Sequence, residues 1–123
     1  MIKVLLVDDI AIIRKSIKDL LNNHPKIQVI GECADGIEVI PFLEHNKIDV
    51  ILMDYQMPIL NGAEATKLVK EHFPKIKVIG FSSADDESIK AAFIINGACS
   101  FLSKYDADMN QLIFEINSCY SVT

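Results

Sequence analysis

Apolar runs of strand length alternate along this chain with stretches of helical period, five times in succession. Residues 4–7 form an unbroken apolar run that reads as a buried strand. Behind it Ile13, Ile17, Leu20 and Leu21 are spaced for one face of a helix, which Asn22-Asn23-His24-Pro25 stops. Residues 27–33 predict a second strand with partial alternation. Asp35 then reads as an N-cap, with Glu38 completing a capping box, and the helix so opened runs through Leu43. Pro41 falls well inside that helix, where a proline costs about 3 kcal/mol, so a kinked, irregular or short helix is expected.

The run over residues 48–53 is the most apolar and predicts the central strand. A loop holding Met57-Pro58 and Asn61-Gly62 leads into a helix over residues 63–73, ended by Pro74. Residues 77–81 predict strand four. Residues 83–87 open a fourth helix with Ile89, Ala92 and Phe93 on its inner face, and Asn96-Gly97 stops it. Residues 98–103 predict strand five. Leu112, Ile113, Ile116 and Tyr120 mark the inward side of a last helix, whose start within residues 104–112 the pattern leaves open.

Five strand–helix units predict an α/β fold with a doubly wound, five-stranded parallel sheet and helices on both faces. The flavodoxin-like strand order 2-1-3-4-5 is the expected arrangement. At 123 residues the chain predicts one domain with a full core.

That topology gives meaning to five polar residues at the ends of apolar runs: Asp8, Asp9, Asp54, Ser82 and Lys104. Parallel strands gather them at the carboxyl edge, where open α/β sheets bind ligands. Three carboxylates attract a hard divalent cation, magnesium being the natural one. A hydroxyl and an ammonium suit a phosphoryl group. Taken singly, Asp9 is equally a helix N-cap, Ser82 a strand-end hydroxyl bonded to backbone, and Lys104 a surface lysine. Their joint placement favours phosphoryl chemistry. Asp54, ending the central strand beside a metal, could attack phosphorus and form an acyl phosphate.

Composition narrows the rest. Half of the residues are hydrophobic and 24% charged, as in an ordinary globular domain. The net charge of −5 argues against nucleic acid as this domain's ligand; a small patch of Lys67, Lys70, Lys75 and Lys77 reads as a solvated helix end. No apolar run approaches the roughly 20 residues of a membrane helix, and charges near the start interrupt any signal-peptide core, so a cytoplasmic location and no membrane contact are expected. Cys33, Cys99 and Cys119 predict reduced, mostly buried thiols. His24, His45 and His72 predict helix-end residues.

At its strand-end residues the chain resembles the receiver domain of two-component response regulators. Asp8-Asp9 matches the acidic metal-binding pair, and Asp54-Tyr55-Gln56-Met57-Pro58 with Gly62 matches the D-x-x-M-P-x-x-x-G pattern around the phosphoacceptor. Ser82 matches the Thr-or-Ser position, Lys104 the lysine and Phe101 the aromatic switch. The resemblance implies that Asp54 takes a phosphoryl group from the phosphohistidine of a sensor histidine kinase or phosphotransfer protein, with magnesium held by Asp8, Asp9, Asp54 and the backbone carbonyl of Gln56. It implies that Ser82 and Phe101 then move inward and rearrange the face of helix four, strand five and helix five. Pro58 and Gly62 would support the loop.

Tyr105 follows Lys104 in place of the frequent proline, which resembles the subfamily with C-terminal helix-turn-helix DNA-binding domains (LuxR/NarL type). The expectation is a non-enzymatic, phosphorylation-operated switch that controls an output, with transcription through a domain beyond residue 123 preferred and a homodimer formed on phosphorylation. The alternatives are a magnesium-dependent aspartyl-phosphate phosphohydrolase and a stand-alone receiver acting by protein–protein contact. The hydrolase lacks a second acid two residues after its nucleophile, that place being Gln56 after Asp54 and Ala11 after Asp9. No phosphate-binding glycine motif supports a nucleotide-binding protein.

Overall fold

The computed structural model describes residues 1–83, 86–105 and 107–121. Its elements are β1 (Ile2–Val7), α1 (Ala11–Asn22), β2 (Ile27–Cys33), a 3-10 turn (Gly36–Glu38), α2 (Val39–His45), β3 (Val50–Met53), α3 (Gly62–His72), β4 (Lys77–Ser82), α4 (Glu87–Ile95), β5 (Ser100–Ser103) and α5 (Met109–Ser121). The strands pair in parallel in the order β2-β1-β3-β4-β5. This is the expected doubly wound sheet, with β3 at its centre and buried along its whole length.

Alternation along each strand splits the core into two layers. Leu5, Val7, Ile51, Met53 and Val78 face one way and meet Val39 and Leu43 of α2, Ala65 and Val69 of α3 and Phe93 of α4. Val4, Leu6, Val50, Leu52 and Ile79 face the other way and meet Leu21 of α1 and Leu112 and Ile116 of α5. Register aligns Cys33, Val7, Met53, Gly80 and Phe101 in one row across all five strands. Asp8 and Asp54 stand one residue beyond that row.

Helix ends follow local chemistry. Asn61 and Asp86 cap α3 and α4 by accepting the N–H groups of Glu64 and Ile89. Asn96 closes α4, and Gly97 beyond it takes φ +106°, which only glycine adopts without strain. His24, His45 and His72 stand at helix ends as expected. Of the opening residues 83–87 of the fourth helix, Ala84 and Asp85 lie outside the described residues. No helix among the described residues is long and apolar enough to cross a membrane.

Several expectations need correction. Leu20 and Tyr120 are exposed; α1 buries Leu21 as expected, and α5 buries Cys119 beside the expected Leu112 and Ile116. Glu38 does not close a capping box on Asp35; its carboxylate accepts the N–H of Ala34. Pro41 is the third residue of α2 and sits in its first turn, where a missing N–H is tolerated. The helix there is short and preceded by a 3-10 turn, as expected.

The cysteines are the largest departure. Cys99, exposed just before β5, is disulfide-bonded to buried Cys119 on α5, with Cα atoms 6.2 Å apart. The sequence gap of 20 residues hides the pairing, because α5 returns against β5 and brings its end beside the strand's start. Cys33 is a buried free thiol, and burial, reinforced by Glu38, pushes it up to about 12.

Candidate functional site

Main-chain hydrogen bonds at the ends of the strands position the site. The N–H of Asp8 reaches Cys33 O (3.1 Å), that of Asp54 reaches Val7 O (2.9 Å), and that of Lys104 reaches Ser82 O (3.0 Å). Each bond extends a strand ladder by one residue and carries a site residue with it.

The carboxylates converge. Asp8, Asp9 and Asp54 each offer an oxygen, and these oxygens lie within 4.8 Å of one another. Asp8 and Asp54 are buried, while Asp9 is exposed. Asp9 does not cap α1: Ile10 is the N-cap, and Asp8 Oδ1 accepts its N–H at 2.9 Å. Lys104 Nζ is paired with Asp8 Oδ2 and stands 3.5 Å from Asp54 Oδ2. The same ammonium lies 5.8 Å from the centroid of the Phe81 ring.

Asp54 Oδ1 accepts the N–H of Tyr55 at 2.7 Å, and the Ser82 hydroxyl donates to the same carboxylate. Burial raises the Asp54 carboxyl above its ordinary value, with Asp8 adding to the rise and Lys104, Ser82 and Tyr55 opposing it. Three carboxylates and one ammonium therefore leave negative charge only part-compensated. That all-oxygen donor set fits a hard divalent cation.

Gln56 and Pro58 occupy the exposed loop between β3 and α3. Gly62 at the loop's end packs directly on the backbone of Asp54: a Cβ there would overlap the Asp54 carbonyl oxygen. Its N–H reaches Tyr55 O at 2.9 Å. Phe101 is half-buried, with its ring 5.5 Å from that of Phe93, over the slot that Gly80 leaves open. Tyr55 meets Phe93 edge-on at 6.3 Å, so an aromatic series runs from the residue after Asp54 to Phe101.

Two supporting residues escaped the sequence reading. Asp35 is buried and does more than cap: it accepts the N–H groups of Ile37 (3.0 Å), Ile59 (2.8 Å) and Leu60 (3.1 Å), tying down the loop after Asp54. Burial acts to raise its carboxyl, but these three donors prevail and hold it below its ordinary value. Arg14, the one arginine in the chain, donates to Asp8 O and pairs with Glu32 at 2.9 Å, locking the acidic loop to β2. An arginine one turn into a helix behind an acidic pair is a signal for such a tether. Nothing local marks the two distant partners of Asp35, Ile59 and Leu60, which lie 24 and 25 residues away.

Residues 4–117 match the model of the response regulator receiver domain family. The chain belongs to that family. This receiver domain is 38% identical over 105 residues to a protein-glutamate methylesterase/protein-glutamine glutaminase of Pyrococcus horikoshii, covering 84% of this chain and 28% of that protein. It is 34% identical over 121 residues to the response regulator UvrY of Escherichia coli, covering 98% of this chain and 55% of UvrY. Among solved structures, the response regulator domain of Thermotoga maritima CheB superposes with a TM-score of 0.92 at 34% identity, covering 100% of this chain and 98% of that one. The receiver domain thus spans between about a quarter and half of these full-length relatives.

Proposed function

We propose that this receiver domain is a phosphorylation-operated switch in which Asp54 accepts a phosphoryl group from the phosphohistidine of a sensor kinase or phosphotransfer protein. The observation that carries the reading is the environment of Asp54: a buried carboxylate at the end of the central strand, among the oxygens of Asp8 and Asp9, with the Ser82 hydroxyl and the Lys104 ammonium beside it. Asp8, Asp9 and Asp54, with the Gln56 carbonyl, would hold magnesium, which neutralises charge on the transferring oxygens.

A carboxylate oxygen of Asp54 attacks phosphorus, the phosphorus–nitrogen bond of the donor breaks, and an acyl phosphate forms. Lys104, bound to Asp8 and within reach of Asp54, serves as counter-ion to the incoming phosphoryl oxygens. Ser82 exchanges its bond to the Asp54 carboxylate for one to the phosphoryl group. Phe101 answers that shift from its slot over Gly80 and alters the face of α4, β5 and α5, a change in the population of two states.

The domain performs no turnover of its own in this reading. The output lies in other chain segments or in partners; transcription through a helix-turn-helix domain is the preferred output, with a homodimer formed on phosphorylation. The methylesterase relative is the reminder that receivers of similar sequence serve other outputs.

Incubation with a small acyl phosphate and magnesium, followed by intact-mass measurement, tests the switch. The expected result is a gain of one phosphoryl group that Asp54→Asn abolishes. No adduct on the parent protein rejects the reading, and rapid turnover of varied phosphate esters replaces it with a hydrolase.

A further inference from the structure

The Cys99–Cys119 pair lies away from the acidic site and plays no part in the phosphoryl chemistry. Cys99 precedes β5 and is exposed; Cys119 is buried on the inner side of α5, on the same stripe as Leu112 and Ile116. Their Cα separation of 6.2 Å lies within the range a disulfide needs without backbone movement. The third cysteine is isolated from them: Cys33 packs in the α2–α3–α4 layer, on the opposite face of the sheet from Cys119. Cys33 is also a poor nucleophile, since burial holds it protonated to about pH 12. Exchange chemistry is thereby confined to one two-thiol unit with one open door.

We infer that Cys99 and Cys119 form a reversible thiol–disulfide site that sets how firmly the last turn of α5 is held to the sheet. A small-molecule disulfide of the glutathione class is the oxidant. The Cys99 thiolate attacks one sulfur of that disulfide, forming a mixed disulfide and releasing one small thiol. The Cys119 thiolate then attacks the Cys99 sulfur and releases the second. One small disulfide is reduced to two thiols, two cysteine thiols become one disulfide, and the two cysteine protons end on the departing thiols. Reduction runs through Cys99 in reverse, because Cys119 is shielded by the helix it sits on.

The bond acts on α5 in a specific way. Leu112 and Ile116 anchor the helix in either state, so α5 stays docked when the bond opens. Cys119 alone changes from a covalent tether to an apolar side chain held by packing. Cys99, at the other end of the tether, leads into β5, which carries Phe101 two residues on; Lys104 follows the strand's end, five residues beyond Cys99. The oxidation state is thus imposed on the segment that carries Phe101 and runs on to Lys104 of the acidic site.

Equilibrating the full chain in glutathione buffers of graded oxidation, then quenching with a mass-tagged alkylating reagent under native conditions, tests the site. The expected record is a single two-thiol step at Cys99 and Cys119, with Cys33 tagged only after denaturation. In parallel, backbone hydrogen exchange at the end of α5 should be roughly tenfold faster in the reduced protein, with α1 to α3 unchanged. Cys99→Ser and, independently, Cys119→Ser should exchange at the reduced rate in every buffer. Tagging of the two cysteines at separate ratios, a bond that persists in fully reduced glutathione, or equal exchange of α5 in both states would each overturn the inference.

Discussion

The Lys104 ammonium is shared between two carboxylates, paired with Asp8 and 3.5 Å from Asp54. One cation therefore steadies the acidic cluster before any divalent ion arrives. Lys104→Ala should lower stability by about 2 kcal/mol, the scale of a lost hydrogen bond to a charged group. Magnesium should recover more of that loss in the variant than it adds to the parent, as read by thermal melting with and without the ion. The variant should still take up phosphoryl from an acyl phosphate while the exchange response of α4 and β5 is blunted; an undiminished response would remove Lys104 from the signalling role.

Gly62 leaves no room for a side chain above the Asp54 carbonyl. Gly62→Ala should destabilise the fold by about 1–3 kcal/mol through overpacking. The displaced Asp54 should also react more slowly with an acyl phosphate than the stability loss accounts for, measured well below the melting point of the variant.

Asp35 offers a test by pH. Its folded carboxyl is held below the ordinary value, so its ionised form stabilises the fold. That contribution is complete above the ordinary carboxylate pKa and is lost as pH falls through the lowered folded value. Asp35→Asn keeps the shape but puts an amide where the Ile59 and Leu60 N–H groups need acceptors. The variant should be about 1–2 kcal/mol less stable at neutral pH, and the gap should narrow as pH falls below the ordinary carboxylate value. Denaturant melts across that range measure it; a gap independent of pH would mean packing, not charge, is responsible.

Gly80 makes the slot in which Phe101 lies against Phe93. Gly80→Ala should push the Phe101 ring outward and abolish its proton NMR contacts with Phe93, at about 1–3 kcal/mol of stability. Persistence of those contacts would show that the ring tolerates the methyl group.

Period and punctuation revealed the fold because each element carries its own signal. The buried β3 and the Gly97 stop needed nothing beyond their neighbours in sequence. The gathering of Asp8, Asp54, Ser82 and Lys104 at the strand ends was legible for the same reason, since a parallel sheet has one carboxyl edge. What the chain concealed were pairings of distant groups. Asp35 reads locally as a cap, and its bonds to Ile59 and Leu60 exist only after β2 and β3 are placed. The disulfide exists only because α5 doubles back along β5. Leu20 and Tyr120 fit a helical stripe as well as their buried neighbours do, and small rotations of α1 and α5 decided between them.

The three main-chain bonds that extend the strand ladders have a practical outcome. Asp8, Asp54 and Lys104 are each held by amides that any side chain but proline retains. Substitutions at these positions should therefore leave the backbone spacing of the other two intact while removing one chemical group and the side-chain bonds it makes. The site can be dissected one side chain at a time on an unchanged backbone, and a lost function in such a variant can be assigned to the missing group and the partners it held.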